Sequence, residues 1–447
     1  MVSQLDIFPT RLSYNQMTGH LLEWSTNLMF SALDLSYNHI TGPLPKWSAN
    51  LMFSRPDLSY NHITGPLPEW SANLTISKVG LSHNQITGPL PHMFINCSYL
   101  DLSHNLISGS LPTDIGIMYQ VDTLFLNDNL ISGTLPSSLC DMELFDLNLA
   151  NNSLSGIIPD YWKGSLSFLT LSFNKLSGVI PSSLGSLPYL TTLHLNGNHL
   201  NGELPQALEY CTSLVILDLG ENNLSGSIPT WFDESFRSLL ILRLRENKFV
   251  GNIPPQLCSL SKLKILDMAV NNLTGMIPRC LGNMSSMINL NQSNSYGSVV
   301  ITPIQDIISL SFRGYAHLNL SQNDLMGQIP KENQIQTLDD PSIYAGNPLL
   351  CGDLLRKKCL SAETPQSQKI PHPKDTHEED KFDRTLFYAI VMLGFAIGFW
   401  GFFSVLQFKK EWRQAYFSFA DQAAHKAFVA IVVKVAKLKR MRLSRST

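Results

Sequence analysis

The sequence predicts an α/β-type solenoid with a parallel β-sheet along its concave side, followed by a single transmembrane helix. Three observations predict this arrangement. One pattern of leucine, asparagine, glycine and proline recurs between residues 12 and 330, and residues 386–406 carry no charge. Residues 407–447 hold 10 of the 32 Lys and Arg but only 2 of the 35 Asp and Glu, so their net charge is +8 and that of residues 1–406 is −11 (22 minus 33). Such an asymmetry indicates two compartments with a membrane between them.

The recurring pattern is L-x-L-x-x-N-x-[LI]-[ST]-G-x-[LI]-P, and the chain holds thirteen copies of it. The first twelve copies are spaced by 21 to 25 residues, a period typical of leucine-rich repeats. A glycine follows four residues after each asparagine. The asparagines of the pattern are Asn15, Asn38, Asn61, Asn84, Asn105, Asn129, Asn152, Asn174, Asn198, Asn222, Asn247, Asn271 and Asn323.

Each residue type in the pattern has a predicted structural role. Paired leucines such as Leu217 and Leu219 alternate along a short strand and point into a shared core. The asparagine is too polar to be buried without partners, so we expect it to bond to backbone groups of its own and neighbouring repeats. The glycine and proline predict a sharp turn onto the outer face. Thirteen strands about 4.8 Å apart would form a sheet on the order of 60 Å long.

The uncharged stretch 386–406 contains 21 residues, which a helix would extend over roughly 31 Å, close to the thickness of a bilayer core. Acidic residues precede it, and Lys409, Lys410 and Arg413 follow it. The positive-inside rule therefore predicts an extracellular N-terminal part and a cytoplasmic tail. A soluble cytosolic enzyme is disfavoured, and the net charge of −3 argues against a partner nucleic acid.

The G-x-[IL]-P element, as in residues 178–181 (GVIP) and 226–229 (GSIP), resembles the plant-specific extracellular class of leucine-rich repeat. Residues 344–352 (YAGNPLLCG) with Cys359 resemble the C-terminal cap of plant receptor-like proteins. The tail, with residues 398–403 (GFWGFF) and 412–417 (WRQAYF), is similar to that of the ethylene-inducing xylanase receptor group. The resemblance implies a plasma-membrane immune receptor without its own kinase. Its implied partners are an extracellular protein or peptide elicitor, a receptor-like kinase adaptor and a co-receptor.

The sequence departs from the pattern of that family in three places. The N-terminal cap with its cysteine pair and a signal peptide are not apparent, the spacing between Asn271 and Asn323 widens to 52 residues, and one repeat rather than about four follows. We therefore expect a chain truncated at its N-terminus and after the island. The predicted domains are repeats (1–281), an island-like segment (282–314), a last repeat (315–332), a C-terminal cap (333–360), an acidic linker (361–385), the transmembrane helix (386–406) and a basic tail (407–447).

Three other functions stay open on the sequence. The protein could be a co-receptor for a developmental peptide hormone, which a basic or hydroxyproline-containing peptide ligand would indicate. It could be a wall-localised inhibitor of microbial glycanases, although the apolar span argues against that function. A truncated product could also act as a decoy or have no function.

The seven cysteines are too few for a dense disulfide framework. We expect Cys351 and Cys359 to close a short loop in the cap, and Cys258 and Cys280 to bridge adjacent repeats. Cys97, Cys140 and Cys211 are predicted to be small buried hydrophobic residues. No Cys/His spacing suits a metal, and no cofactor is predicted. The glycosylation sequons predicted to carry glycans are Asn73, Asn96, Asn223, Asn272, Asn283 and Asn291.

No catalytic motif is present, so function is expected on surfaces. The variable positions of L-x-L-x-x-N should face out of the concave sheet. Arg243 and Arg245 form a cationic point there, suited to fork-like pairing with a carboxylate. The alternative is that they pair only with Glu221 and Glu246. The predicted ligand-facing residues are Asn148, His194, Asn196, Asp218, Glu221, Arg243, Arg245, Glu246 and Asp267.

Three further features concern the membrane. Gly394 and Gly398 have the small-residue spacing that lets two transmembrane helices approach closely. Tyr416 and Phe419 fit the Tyr-x-x-apolar endocytic signal of the resembled family. The apolar and basic residues of the tail are spaced as in an amphipathic helix, which predicts binding to anionic membrane lipid.

Overall fold

The computed structural model describes residues 10–21, 32–46, 55–69, 76–91, 97–284, 317–330 and 340–359. In them the chain winds through two parallel β-sheets, and each repeat contributes one strand to each sheet. Strands are numbered along the chain. Over these ranges no helix is long and apolar enough to cross a bilayer. The predicted span 386–406, with Gly394, Gly398, Tyr416 and Phe419, lies outside the described residues.

The first sheet contains thirteen described strands, as many as the repeats predict, and it corresponds to the predicted concave sheet. Its strands are two or three residues long, and each pairs with the corresponding strand of the next repeat. They are β1 (Thr10–Arg11), β3 (Leu33–Asp34), β5 (Pro56–Asp57), β7 (Lys78–Gly80), β9 (Tyr99–Asp101), β11 (Thr123–Phe125), β13 (Asp146–Asn148), β15 (Phe168–Thr170), β17 (Thr192–His194), β19 (Ile216–Asp218), β21 (Ile241–Arg243), β23 (Ile265–Asp267) and β25 (His317–Asn319).

The second sheet was not predicted. It has fourteen described strands and lies where the sequence predicted a turn onto the outer face. They are β2 (Thr18–His20), β4 (His39–Gly42), β6 (His62–Pro66), β8 (Gln85–Gly88), β10 (Leu106–Ser110), β12 (Leu130–Thr134), β14 (Ser153–Ile157), β16 (Lys175–Gly178), β18 (His199–Gly202), β20 (Asn223–Ser227), β22 (Lys248–Asn252), β24 (Asn272–Met276), β26 (Asp324–Gln328) and β27 (Leu349–Cys351).

The glycine of the repeat lies inside these second-sheet strands rather than in a turn. Gly178 closes β16 with φ +80°, and a Cβ there would lie 2.9 Å from a methyl carbon of Ile157 in the preceding repeat. Only glycine adopts this left-handed backbone without strain and leaves room for the neighbouring side chain. The expected role of the glycine as a turn residue was therefore wrong, and the positive φ inside the strand explains why the repeat has glycine at this position.

Short helices connect the second sheet back to the first in many repeats. One is α-helical, Phe232–Ser235, and it buries Phe232 in the core beside Phe236, the residue that follows the helix. The others are 3₁₀ helices at Ile115–Ile117, Ser137–Asp141, Ser182–Ser186, Gln206–Tyr210, Pro255–Ser259 and Arg279–Asn283. Two more 3₁₀ helices, Pro341–Tyr344 and Asp353–Leu355, lie on either side of β27 in the cap.

The main hydrophobic core runs continuously between the sheets, and a smaller separate cluster contains Ile216, Leu240, Ile241 and Ile265. Leu193 and Leu195 in one repeat and Leu217 and Leu219 in the next are fully buried, as the L-x-L pattern predicted. No repeat could bury its leucines alone, so stability comes from the contacts between neighbours.

The asparagines form the predicted hydrogen-bonded ladder. The Nδ2 of Asn174 donates to the carbonyl oxygens of Leu149 (3.0 Å), Leu171 (3.1 Å) and Ser172 (3.2 Å), and its Oδ1 accepts from the amide of Leu154 (3.0 Å). One side chain thus joins two repeats and satisfies four backbone groups. Asn347 in the cap continues the ladder, which the sequence pattern had ended at Asn323.

The structure contains both expected disulfides. Cys258 is bonded to Cys280, joining the 3₁₀ helices of consecutive repeats, and Cys351 is bonded to Cys359 in the cap. The three other cysteines are buried, as predicted. Burial raises the pKa of Cys97 to about 12 and the pKa values of Cys140 and Cys211 to about 11, which keeps these thiols protonated.

Candidate ligand groove on the first sheet

A groove of about 460 Å³ crosses the outward face of the first sheet beside strands β17 to β23. Seven of the nine predicted ligand-facing residues line it, whereas Asn148 and Glu246 do not. The lining residues are Ser172, Phe173, His194, Asn196, Asp218, Gly220, Glu221, Arg243, Arg245 and Asp267.

Strand register brings the charged residues of the groove into one row. His194, Asp218, Arg243 and Asp267 are directly opposite one another on β17, β19, β21 and β23. Since successive side chains on a strand alternate between faces, the leucines beside them point into the core while these four face outward.

Asp218 lies at the centre of this row. One of its carboxylate oxygens is 3.3 Å from Arg243 Nη1 and 4.0 Å from His194 Nδ1, and the other accepts a hydrogen bond from the amide of Gly220 (3.2 Å). Asp218 is buried, as is Asp267 in the same row. Both point out of the sheet, as expected, but neither projects freely, because side chains of neighbouring strands cover them.

Arg245 forms a second charged group beside Asp218. Its Nη2 is 2.5 Å from Glu246, its Nη1 is 3.9 Å from Asp267, and its Nε is buried without a hydrogen-bond partner. The hydrogen bond to Glu246, together with the Glu246 and Asp267 charges, raises the pKa of Arg245. The sequence left open that the two arginines pair with Glu221 and Glu246. Arg245 does pair with Glu246, but Arg243 pairs with Asp218 instead of Glu221.

His194 contributes a largely buried and incompletely bonded imidazole. Burial lowers its pKa, partly offset by the Asp218 charge, so the ring is neutral near pH 7. Its Nε2 is buried and has no hydrogen-bond partner, and neither has the hydroxyl of Thr192 two residues earlier on β17. Buried polar atoms without partners are costly, and a bound ligand could satisfy those that reach the groove.

Sequence reasoning missed the apolar wall of the groove. Phe173 is 52% exposed and its ring lies over Gly197, where a Cβ would be 2.6 Å from a ring carbon. Gly220 leaves further space between Asp218 and Arg245. The available signal was that Gly197 and Gly220 stand at variable positions of the repeat, where a glycine permits close approach of a ligand.

The remaining predicted site residues lie elsewhere. The Oδ1 of Asn148, on β13, accepts a hydrogen bond from the amide of Ala150. This strand lies two strands before β17 in the first sheet, outside the groove. Asn223 and Asn272 begin β20 and β24 of the second sheet, and Asn283 ends a 3₁₀ helix. Asn73, Asn96 and Asn291 lie outside the described residues. All six sequon asparagines stay predictions as glycan acceptors.

Known proteins share the repeat seen here. Residues 164–224 match the family described as Leucine rich repeat, and residues 30–51, 96–118, 143–164 and 262–284 match a second family of that description. The chain contains leucine-rich repeats. Receptor-like protein EIX2 of Solanum lycopersicum is 33% identical over 107 residues, which make up 24% of this leucine-rich repeat chain. The match spans 10% of that relative's own length.

Two crystal structures of receptors have a similar fold. A TDR receptor shares 29% identity, with a TM-score of 0.60 over 71% of this chain and 51% of that one. The Arabidopsis receptor kinase HAESA, in complex with the peptide hormone IDA and the co-receptor SERK1, shares 27% identity, with a TM-score of 0.52 over 77% of this chain and 62% of that one. The described leucine-rich repeats are thus similar to plant receptor ectodomains.

Proposed function

We propose that this protein is a plasma-membrane receptor that binds an extracellular protein or peptide elicitor on its repeats and signals in plant defence through a separate receptor-like kinase. One observation carries the proposal. On a solenoid similar to plant receptor ectodomains, five charged side chains line one groove, and two of its lining residues, His194 and Arg245, each carry a buried nitrogen without a hydrogen-bond partner.

The two arginines give the groove a means to recognise a carboxylate. Arg243 has one contact with an acid, at 3.3 Å, whereas Arg245 is 2.5 Å from Glu246 through Nη2 and 3.9 Å from Asp267 through Nη1. None of these pairs is bidentate in the described residues, so each guanidinium keeps donors that no acid occupies, Arg243 more than Arg245. A ligand carboxylate could accept two such donors in a fork.

A peptide-hormone receptor or co-receptor is the second candidate function. The favouring observation is the similarity to HAESA, whose structure contains a peptide hormone and a co-receptor. A ligand from the plant itself would support this candidate, and a ligand from a microbe would support the defence receptor.

The proposal includes a membrane anchor and a kinase partner. Residues 386–406 would span the membrane, the basic tail would contact anionic lipid, and Tyr416 and Phe419 would serve endocytosis. Gly394 and Gly398 would lie against the span of a receptor-like kinase. Substituting both with Leu should then weaken co-precipitation of that kinase. Undiminished co-precipitation would remove the role of the two glycines and leave the groove unaffected.

Ligand capture tests the proposal. The full-length tagged protein, expressed in plant cells, is incubated with plant extracellular fluid and with microbial culture filtrate, and bound peptides and proteins are identified by mass spectrometry. Substituting Arg243→Gln and Arg245→Gln together should reduce the captured ligand roughly tenfold, because two charge-assisted contacts are lost. Lys175→Gln with Lys248→Gln, both exposed on the second sheet, is the charge-matched control. Equal capture by both double variants would refute the groove as the binding site.

A further inference from the structure

Side chains at one position of the repeat, directly before the pattern asparagine, stack along the solenoid in a column. The residue before each of the thirteen pattern asparagines has φ between +52° and +68°, from Tyr14 through Gly197 to Gln322. In the early repeats the rings at this position stack face to face, with centroids 4.0 to 4.2 Å apart. The stacked rings belong to Tyr14, Tyr37, Tyr60, His83 and His104.

After the rings, polar residues at the same repeat position contact one another in the next repeats. His104 Nε2 is 3.4 Å from the carboxylate of Asp128, and Asn151 donates a hydrogen bond to that carboxylate. In this part of the column, each side chain is therefore stabilised by its neighbour in the next repeat.

Gly197 interrupts the column at the edge of the groove. It follows Phe173 and precedes Glu221 in the column, so no side chain stands between these two. Their backbones belong to repeats two apart, roughly 10 Å at the usual spacing of strands. The Phe173 ring leans over Gly197 and takes up part of this distance, so the gap is the remaining space between the ring and Glu221. Both are exposed, and Glu221 forms no ion pair with any residue that the structure describes.

The balance of charge indicates what could occupy the gap. The groove is lined by Asp218, Glu221 and Asp267 against Arg243 and Arg245, and both arginines already face acids. The lining side chains carry a net charge of −1, and Glu221 is the acid among them that forms no ion pair in the described residues, although its charge acts on Arg245. An aromatic ring beside an unpaired carboxylate attracts a cation through the ring face and the charge together. A ligand carboxylate at the same place would be repelled by Glu221.

We propose that the gap at Gly197, between Phe173 and Glu221, is a subsite for a cationic side chain of the extracellular ligand, a guanidinium or an ammonium group. The inference rests on the proposed function and extends it, because it names a basic residue as a determinant of the ligand. A planar guanidinium suits the gap best, since it can stack on Phe173 while it donates to Glu221.

A peptide array tests the subsite without knowledge of the natural ligand. Full-length detergent-solubilised protein is applied to immobilised random peptides that carry Arg, Lys, citrulline or Glu at one fixed position. Citrulline has nearly the shape of Arg but no charge. Wild-type protein should retain Arg peptides about fivefold more than their citrulline counterparts, the combined effect of one ring contact and one ion pair.

Three variants assign the preference to the gap. Glu221→Gln should abolish the preference for Arg over citrulline, and Phe173→Leu should reduce it while keeping an apolar wall. Glu203→Gln, which changes an exposed acid directly after β18, is the matched control and should leave the preference unchanged. Unchanged thermal unfolding shows that each variant is folded. Equal retention of Arg and citrulline peptides by the wild type, including no retention of either, overturns the subsite, as does a preference that survives in Glu221→Gln.

The two proposals fail separately. If capture of natural ligands depends on Arg243 and Arg245 but the array shows no preference for Arg, only the cationic subsite is refuted. If the array shows the preference but capture does not depend on these arginines, the subsite stands and the proposed carboxylate contact is refuted.

Discussion

At the scale of single residues, the ladder asparagines connect neighbouring repeats because one amide can satisfy backbone groups of both. Asn174 is buried and makes four hydrogen bonds, two of them to the preceding repeat. Removing such a side chain leaves buried carbonyl and amide groups without partners, which costs more than the hydrogen bonds themselves contribute.

We therefore expect Asn174→Ala to lower the free energy of unfolding by about 2–4 kcal/mol, measured by urea denaturation of the purified protein. Asn196→Ala is the matched control, because the Asn196 side chain lies half-buried at the groove rather than in the ladder. It should cost less than about 0.5 kcal/mol. Equal losses in both variants would show that the ladder contributes no special stability.

A second residue-scale prediction concerns Asp146 on β13. Burial raises the pKa of this carboxyl to about 7, well above the value of about 3.9 in an unfolded chain. Between these values the folded protein binds more protons than the unfolded one, so stability falls as the pH rises from about 4 through about 7. Asp146→Asn should remove this loss and increase stability at about pH 8 by on the order of 2–4 kcal/mol, with little change at about pH 4.

Thermal or urea unfolding at the two pH values measures this effect. Asp324→Asn, an exposed acid on β26, serves as the control and should follow the wild type at both. If the difference between Asp146→Asn and the wild type were the same at the acidic and the alkaline pH, the ionisation of Asp146 would not account for it.

At the scale of elements, the two disulfides cross-link short segments of the chain. The Cys258–Cys280 bond spans 22 residues and ties two 3₁₀ helices together, whereas Cys351–Cys359 spans 8 within the cap. A disulfide stabilises mainly by restricting the unfolded chain, and the effect grows slowly with the length of the loop.

We expect replacement of Cys258 and Cys280 by Ala to lower the free energy of unfolding by about 3.4 kcal/mol, and replacement of Cys351 and Cys359 by about 2.5 kcal/mol. Cys211→Ala controls for the loss of a sulfur atom, since this buried thiol forms no disulfide. Chemical denaturation with hydrogen exchange should also show that protection falls first between the two 3₁₀ helices. A larger loss from the shorter loop would contradict the entropic account.

At the scale of the whole molecule, the charge asymmetry predicts the orientation in the membrane. The tail 407–447 carries +8 and the rest of the chain −11. Protease added to sealed plasma-membrane vesicles of native orientation should therefore digest the repeats and spare a C-terminal tag. A tagged plasma-membrane protein whose C-terminus is extracellular is the control and should lose its tag. Digestion of the tag with the repeats intact would reverse the proposed orientation.

The sequence alone determined the repeat, its core and its ladder. The thirteen first-sheet strands, the buried L-x-L leucines and the backbone-bonded asparagines were all predicted, since each follows from the spacing of residues within one repeat and from elementary rules of burial. The prediction that the asparagine would pair with backbone groups needed no knowledge of which groups those are. Seven of the nine predicted ligand-facing residues also lie together in the groove.

Only the tertiary structure decided which residues meet across repeats. The partner of Arg243 is Asp218, 25 residues earlier, and Phe173 leans over Gly197. The second sheet exists because successive glycine-containing segments pair with one another. His39 and His62 lie on this sheet, whereas His83 and His104 stack on each other at the position before the pattern asparagine. Spacing along the chain gives each residue its place in the repeat. Which side chains touch across repeats depends on their direction and size, and on how the repeats stack in three dimensions.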